Sequence, residues 1–205
     1  MARTFLGGIH GEKGAVDVDT LYSEWAQSYE QEVTGAGYIT PSRCAEVLNR
    51  LGAAHDAPIL DFGCGTGLSG RALHSAGFTV LEGADITPAM LSEAERRPGI
   101  YSALHLLDPE KPLPFEKAQF GHILAAGVIT PDHAPPETMD TLLDLLPPGG
   151  LLVFSLNDHA LSVPAFPDRV DILVEADLAT CEVAESGPHL PAMGIGATVY
   201  GLRKT

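Results

Sequence analysis

From residue 58 onward, short apolar runs alternate with helix-length amphipathic segments. The apolar runs predict strands over 58–62, 78–85, 101–108, 120–128 and 151–157, and the segments between them predict helices over 68–75, 87–97 and 135–146. Strands joined through helices form right-handed parallel crossovers, and their helices cover both faces of the sheet. The alternation therefore predicts an α/β fold that is doubly wound (Rossmann-like), with a mostly parallel sheet.

The C-terminal part departs from this alternation. After a short predicted helix near 167–174, two β-rich runs follow at 179–187 and 194–204, joined by the segment PHLPAM. Such a pair predicts an antiparallel hairpin at the edge of the sheet, which brings the predicted sheet to seven strands.

The N-terminal part predicts helices without strands. Residues 1–19 show no periodicity and predict a flexible arm. Over 20–33, large residues recur every four positions, as in one face of a helix. A second helix follows in TPSRCAEVLNRL, with Thr40 as its expected N-cap and Pro41 in the first helical position. We expect 20–52 to form a helical lid on a Rossmann-like core at 58–205, within a single domain at 20–205.

The acidic composition limits the partners. The chain carries 12 Lys and Arg against 27 Asp and Glu, a formal net charge of −15. Surfaces that bind phosphate depend on clustered basic side chains, so neither a nucleic acid nor a membrane is expected as a partner. Cys44, Cys64 and Cys181 have neither a disulfide-framework nor a zinc spacing. With no export signal or bilayer-length apolar run, the sequence predicts a cytoplasmic monomer or homodimer.

A glycine-rich turn follows the first predicted strand in the stretch PILDFGCGTGLSG. Gly63, Gly65 and Gly67 alternate there, at the point where doubly wound folds bind their ligands. A glycine cluster needs either a positive φ or a ligand lying against bare backbone. Gly65, Gly67 and Gly70 also satisfy G-x-G-x-x-G, which leaves a dinucleotide dehydrogenase open.

Three acids stand at the ends of the first three predicted strands. Asp61 can hold an ammonium group or bond the amides of the turn, and Asp85 can accept both hydroxyls of a ribose. Asp108 can accept from an adenine amino group, or it can form an Asx-turn before Pro109. Amine, ribose and base are the polar parts of S-adenosylmethionine.

Four ordered motifs make the sequence resemble the class I S-adenosylmethionine-dependent methyltransferases, over nearly the whole length from about Thr20. They are LDFGCGTG (60–67), GADITPAML (83–91), LPF (113–115) and LLPPGGLLVFS (145–155). LYSEWAQSYE and TPDHAPPETMDTLL further resemble the small-molecule, type 11/25-like subgroup that includes the methyltransferase-like proteins of the Williams–Beuren region. The resemblance implies S-adenosylmethionine as cofactor and S-adenosylhomocysteine as product.

The resemblance also implies which residues surround the methionine end of the cofactor. These are Asp61, Gly63, Cys64 and Gly65, with Gly67 allowing close approach of the turn. Metal ligands are not implied.

At the nucleoside end, the resemblance implies that Asp85 holds the ribose, and it counts the neighbouring Ile86 with the cofactor-binding residues. Met90 would pack on the adenine, and Leu107 and Asp108 would frame the base.

Trp25, Tyr29 and Ala125 complete the implied site. Ala125 would line the methionine side, just after the core of the fourth strand. Trp25 and Tyr29 lie one turn apart on the first predicted helix, so they are either buried core aromatics or part of a lid. In the resembling group this helix covers the cofactor, and an aromatic face attracts a sulfonium through its quadrupole.

The transfer itself requires few side chains. The methyl carbon of a sulfonium is already activated, so displacement needs mainly an acceptor held behind it in a dry site. A general base helps when the acceptor must lose a proton, and the candidates are His133 in TPDHAPP and His159 in LNDHAL. The segment AAGV stands where enzymes that methylate amide or adenine nitrogen have Asn-Pro-Pro-Tyr. This argues against an amide or adenine nitrogen as acceptor, and the subgroup resemblance implies a small-molecule acceptor.

Two alternatives stay open at this point. Displacement chemistry has no obligatory side chain, so the chain could bind S-adenosylmethionine without catalysis. The G-x-G-x-x-G pattern of Gly65, Gly67 and Gly70 could instead indicate an NAD(P)-dependent oxidoreductase.

Overall fold

The computed structural model of the chain describes residues 30–205. The predicted arm at 1–19 and most of the predicted helix at 20–33, including Trp25 and Tyr29, lie outside the described residues. Residues 30–35 are helical, so the described chain begins on a helix.

Within residues 30–205, seven strands form one sheet in the order β3-β2-β1-β4-β5-β7-β6. Strands β1 to β5 are parallel to their neighbours, whereas β7 runs antiparallel between β5 and β6. This confirms the predicted doubly wound fold with its C-terminal hairpin. In chain order, the strands are Ile59–Phe62, Leu81–Asp85, Ala103–Leu106, His122–Ala125, Leu151–Asn157, Ala179–Leu190 and Ile195–Lys204.

Six α-helices of the described chain are labelled here α1 to α6. They are Thr40–Arg50, Leu68–Ser75, Pro88–Glu95, Thr138–Leu145, Asp158–Leu161 and Ala165–Glu175, and a 3₁₀ turn follows at Pro191–Met193. The sequence patterns do not predict α5. This single turn forms because Asn157, which ends β5, accepts a hydrogen bond from the Ala160 amide at 2.9 Å and so caps it.

Both faces of the sheet are covered, and consecutive strand residues alternate between two cores. Ile59 packs into one apolar cluster and Leu60 into the other, and Ile123 and Leu124 alternate in the same way. All four are fully buried. This period of two, with both faces apolar, explains why β1 and β4 read as nearly continuous apolar runs.

Helix α1 belongs to the layer of helices that covers the sheet. The lid predicted over 20–52 therefore does not include α1. Cys44 and Leu48 are fully buried in the same cluster as Ile59, because they lie on the face of α1 that is turned to the strands. Thr40 is not the N-cap. The helix already begins at Thr40, and its hydroxyl hydrogen-bonds Nδ1 of His189 at 2.8 Å, 149 positions later in the chain.

The strand order places a crevice beside β1. Its neighbours β2 and β4 lead away in opposite directions, and ligands of open α/β sheets bind at this switch point, beyond the carboxyl ends of the strands. Among the described helices, not one is both long and apolar enough to cross a membrane.

Candidate functional site

A cavity of about 280 Å³ opens at the switch point. This volume is close to the lower end, about 300 Å³, of known small-molecule sites. The cavity has a floor after β1, a wall after β2 and β3, and a second wall after β4. Residues 62–65, 85–107 and 126–134 contribute these three parts in turn.

On the floor of the cavity, Gly65 borders open space. Its φ is +54°, a left-handed conformation that favours glycine, and a Cβ added there would meet no protein atom within 4 Å. Gly63 lies beside it, and a Cβ there would stand 2.5 Å from Cγ2 of Val128 on the second wall. Gly63 thus lets the two sides of the cavity approach each other, while Gly65 leaves room for a ligand.

Gly67 and Gly70 do not line the cavity. A Cβ on Gly67 would lie 3.1 Å from Cδ of Arg97, and one on Gly70 would lie 2.2 Å from the hydroxyl of Tyr101. The Gly70 amide donates to that hydroxyl at 3.1 Å. The last glycine of the G-x-G-x-x-G pattern therefore makes room for a tyrosine, so the pattern does not require a dinucleotide.

Asp85 joins the floor to the first wall. One carboxylate oxygen accepts the Gly65 amide and the other accepts the Thr87 amide, both at 2.9 Å. Burial raises the pKa of Asp85, and the bonds from Thr87 and Gly65 oppose this rise. Asp85 lines the cavity, and a carboxylate oxygen can accept more than one hydrogen bond, so Asp85 can also accept from a ligand.

Asp61 is fully buried and does not line the cavity. Its Oδ2 accepts hydrogen bonds from the hydroxyls of Ser69 and Tyr101, each at 2.6 Å. Its Oδ1 is buried and has no hydrogen-bond partner among residues 30–205. Burial raises the pKa of Asp61 to about 6, against the hydrogen bonds from Ser69 and Tyr101. A buried oxygen without a partner is costly, so this site is short of one donor.

The first wall is mainly apolar. Ile86, Met90 and Leu107 line it above Asp85. Met90 and Leu107 are buried, whereas Ile86 is 43% exposed although it is apolar. An exposed isoleucine beside a cavity provides a surface on which a flat ring can pack.

Besides Asp61 and Gly67, three further residues expected in the site lie outside the lining. The Cys64 side chain is buried beside Gly83, and its thiol is directed to the Gly65 carbonyl. Ala125 is fully buried in the core of the sheet, because β4 includes it and the chain turns outward only after it. Asp108 forms the Asx-turn: it accepts the Glu110 amide at 3.0 Å and pairs with Lys111 at 2.7 Å.

The second wall begins with residues that the sequence analysis missed. Ala126, Gly127 and Val128 line the cavity. The peptide between the first two is held at both polar groups, because Tyr38 donates to the Ala126 carbonyl at 3.3 Å and the Gly127 amide donates to Ser155 Oγ at 2.9 Å. The glycine in AAGV was the available signal, since a Cβ on Gly127 would stand 2.4 Å from the Tyr38 hydroxyl.

His133 lies at the far end of this wall. Its Nδ1 is 2.6 Å from Oγ1 of Thr130, which is buried, and this hydrogen bond orients the ring. Asp132 lines the cavity next to it and faces His159 on α5, with Oδ2 and Nδ1 3.3 Å apart. The structure thus brings both predicted histidines to one end of the cavity, although His159 is not part of the lining.

The described part of the chain contains no cluster of metal-ligand side chains. No three His, Cys, Asp or Glu side chains between residues 30 and 205 converge in a way that could hold a metal ion.

Comparison with known sequences identifies similar proteins. A family model described as a methyltransferase domain matches residues 37–192. Methyltransferase-like protein 27 from Homo sapiens is 35% identical over 161 residues, which is 77% of this chain and 65% of the human protein. This chain therefore spans less than two thirds of that relative's length.

Solved structures with the same fold include two methyltransferases. The TehB-like SAM-dependent methyltransferase from Corynebacterium glutamicum has a TM-score of 0.64 and 19% identity, and the match covers 91% of this chain and all of that one. The 1,6-didemethyltoxoflavin-N1-methyltransferase of Burkholderia thailandensis has a TM-score of 0.61 and 20% identity, over 95% and 93% of the two chains. At such identities the likeness shows the fold alone.

Proposed function

This chain belongs to the methyltransferase-domain family, and we propose that it transfers the methyl group of S-adenosylmethionine to a small-molecule acceptor by in-line displacement. One observation carries the proposal. A single cavity extends from Asp85, which can bind a ribose, to His133, which can accept a proton. The B. thailandensis neighbour, solved with 1,6-didemethyltoxoflavin and S-adenosylhomocysteine bound, supports a small acceptor in a cavity of this fold.

The residues at the Asp85 end fit this cofactor. Gly65 leaves open space at the floor, Asp85 can accept hydrogen bonds from ribose hydroxyls, and Ile86 can pack on the adenine. The ammonium group of a methionine moiety is a donor of the kind that Asp61 Oδ1 lacks. When bound, the cofactor supplies a methyl carbon that its sulfonium activates for displacement.

The protein must then orient the acceptor toward the methyl group and exclude water from the cavity. Apolar side chains at both walls, including Met90, Leu107 and Val128, keep the cavity dry, and attack on the methyl group is faster where water does not solvate the acceptor. The doubly held peptide between Ala126 and Gly127 makes the second wall rigid, so an acceptor can be kept at near-attack distance.

At the acceptor end, we propose that His133 takes the proton that an N–H or O–H acceptor loses as the new bond to carbon forms. The Asp132–His159 pair would bind the polar part of the acceptor. The lining contributed by residues 30–205 carries two carboxylates, Asp85 and Asp132, and neither Lys nor Arg. With a chain charge of −15, this favours a neutral or cationic acceptor over an anionic one.

The proposal is tested with labelled S-adenosylmethionine against a panel of metabolites that includes matched amines, alcohols and carboxylic acids. We expect methyl transfer to a member of the panel, and His133→Gln should lower its kcat by about 100-fold, in the range of general-base catalysis. The control is His74→Gln, an exposed histidine on α2, which should leave the rate unchanged.

Other outcomes would favour the alternatives. Tight binding of S-adenosylhomocysteine without turnover of any acceptor would indicate a cofactor-binding protein without catalysis. Binding of NADH in place of S-adenosylhomocysteine would overturn the proposal altogether.

A further inference from the structure

We propose that Tyr101 is a positioning residue for the methionine end of the cofactor: its hydroxyl holds one oxygen of Asp61, so that the other oxygen accepts the ammonium group of the ligand. This inference deepens the proposed function and rests on it. Tyr101 does not line the cavity, and it follows Asp61 by 40 positions in the chain. Its contacts with the first strand, with α2 and with β2 carry the inference.

The direction of the hydrogen bonds fixes what the Tyr101 hydroxyl does. It accepts the Gly70 amide at 3.1 Å, so its own proton is left for Asp61 Oδ2, which lies 2.6 Å away. Burial and the charge of Asp61 raise the pKa of Tyr101, so the hydroxyl keeps its proton at neutral pH. Tyr101 is therefore a fixed donor to this carboxylate.

Both donors to Asp61 reach the same oxygen. Ser69 donates to Oδ2 at 2.6 Å from the first turn of α2, and Tyr101 donates to it from just before β3. Oδ1 is buried and receives no hydrogen bond from residues 30–205. Because a buried carboxylate oxygen without a donor is costly, Asp61 has one position that a donor of the ligand can satisfy.

Three glycines make room for Tyr101. An added Cβ would stand 2.2 Å from its hydroxyl oxygen at Gly70, 3.1 Å from its Cε1 at Gly83 and 3.3 Å from its Cε2 at Gly67. These glycines lie on α2, on β2 and directly before α2. A phenylalanine ring would fill the same space, so packing alone does not account for the hydroxyl. The hydrogen bonds to Asp61 and Gly70 do account for it.

The ligand group is identified by what Asp61 Oδ1 lacks. Asp61 comes two positions before Gly63, which lines the floor of the cavity. S-adenosylhomocysteine carries an ammonium group on its amino-acid part. Methylthioadenosine keeps the adenine and the ribose but has no amino-acid part. Comparison of these two ligands therefore isolates the contribution of Asp61.

The experiment measures Kd of both ligands by calorimetry. At about pH 7, we expect Tyr101→Phe to raise Kd for S-adenosylhomocysteine by about tenfold, as for loss of a hydrogen bond to a charged group. Kd for methylthioadenosine should stay unchanged. The matched control is Tyr200→Phe, the same change at a half-buried tyrosine that stacks on Phe154 outside the lining of the cavity, and it should change neither Kd.

A pH profile separates positioning from a loss of folding. The ammonium group requires the ionised carboxyl, and burial raises the pKa of Asp61 to about 6 against the hydrogen bonds from Ser69 and Tyr101. The affinity of the wild type for S-adenosylhomocysteine should therefore fall as the pH drops through about 6. In Tyr101→Phe the fall should begin at a higher pH, because a bond that favours the ionised form is lost. A merely structural role for Tyr101 would raise Kd by the same factor at every pH.

The second ligand accounts for the other titratable groups near Asp61. Asp85, at the end of β2, adds a negative charge nearby, and burial raises its pKa too. Because Asp85 is the proposed ribose ligand, its titration should change the binding of both ligands alike. The thiols of Cys44 on α1 and Cys64 in the turn stay neutral below neutral pH, since burial raises their pKa values.

Two further variants test the connection from its other members. In Asp61→Asn, the added change Tyr101→Phe should raise Kd for S-adenosylhomocysteine no further, because both changes act on one connection. Thermal unfolding identifies a variant that fails to fold. If Tyr101→Phe is one, Ser69→Ala replaces it, since it removes the other donor to Oδ2 and should move the pH profile in the same direction.

The inference is overturned if Tyr101→Phe binds S-adenosylhomocysteine as tightly as Tyr200→Phe, if both ligands lose affinity by the same factor, or if the pH profile of the variant used matches that of the wild type. Each of these results leaves the proposed function in place. An absence of S-adenosylhomocysteine binding in the wild type would instead overturn both proposals.

Discussion

At the Asp85 end of the cavity the two acids are each held by two hydrogen bonds, from main-chain amides or from hydroxyls, whereas at the His133 end the polar groups stand on a surface loop and a single helical turn. Asp85 binds two amides, and Asp61 binds two hydroxyls beneath the turn. Asp132 and His159, in contrast, are 45% and 42% exposed, and Asp132 Oδ2 lies 3.3 Å from His159 Nδ1.

This difference shows which part of the site the fold itself enforces. Strands β1 and β2 end beside each other in any sheet of this order, and the turn after β1 must then meet the acid at the end of β2. The exposed side chains of Asp132 and His159, after β4 and β5, carry no such constraint, so these two positions can vary at little cost to the fold. We infer that the cofactor end is general and that the acceptor end is particular to this protein.

Asp85→Ala should produce the largest effect and would test the cofactor end directly. It leaves two amides, those of Gly65 and Thr87, without acceptors and removes the proposed ribose ligand. We expect Kd for S-adenosylhomocysteine to rise by about 50-fold or more, at a cost of about 1–3 kcal/mol per buried group left unpaired. Calorimetry measures this. Asp144→Ala is the control, an exposed acid on α4 outside the cavity, and an equal loss there would refute the assignment.

Asp61 should make stability depend on pH. Its pKa is raised to about 6 in the folded protein, so its protonated form is favoured on folding. The resulting stabilisation is present below about pH 4 and is lost as the pH rises through about 6, by about 1–3 kcal/mol. Urea unfolding of the wild type and of Asp61→Asn should therefore diverge between about pH 4 and about pH 7, with the variant gaining relative stability. If the unfolding free energies of the two proteins changed in parallel with pH, Asp61 Oδ1 would have a partner in solution.

Gly65→Ala should separate backbone strain from ligand space. A left-handed alanine costs about 1–2 kcal/mol of folding free energy wherever it stands. Gly149, at φ +80° with nothing within 4 Å of an added Cβ, has the same strain away from the cavity. Both alanine variants should lose similar stability in thermal unfolding, but only Gly65→Ala should bind S-adenosylhomocysteine more weakly, by about tenfold, or ~1.4 kcal/mol. Equal binding by both would place the ligand elsewhere.

The smallest effect on the cofactor should come from the acceptor end. Asp132→Asn and His159→Gln remove one exposed pair, and we expect Kd for S-adenosylhomocysteine to change less than about twofold, as exposed pairs contribute little. The same variants should raise KM for the acceptor once it is found. A large loss of S-adenosylhomocysteine affinity would contradict the division of the cavity into two ends.

Local patterns were sufficient to predict all the strands and all the labelled α-helices except α5. The bounds of α2 and β5 agree residue by residue with the apolar runs and their glycine and proline boundaries. The first strand was predicted only one residue too long, because it is buried between two layers of helices and all its residues except Asp61 are apolar. Asp85, which lines the cavity, was singled out from its position at the end of a predicted strand.

Partners distant in the chain were not predictable in the same way. Thr40 fits an N-cap, but its hydroxyl bonds a histidine that the hairpin brings beside it. Asp108 was predicted to accept from an adenine or to form an Asx-turn, and only the structure shows that the Glu110 amide and Lys111 engage it in the turn. Gly70, the last glycine of the G-x-G-x-x-G pattern, donates its amide to the Tyr101 hydroxyl. The spacing of the pattern does not indicate that partner.

The sequence alone determined the order of strands and helices, the parallel sheet and the glycine turn with its acids, because these depend on periodicity and on residues that are near each other in the chain. Only the tertiary structure decided which of those residues face the cavity and which are engaged in other contacts. A side chain's role depends on what lies opposite it, and for Gly67, Asp61 and Ala126 the opposing groups come from segments tens of residues away.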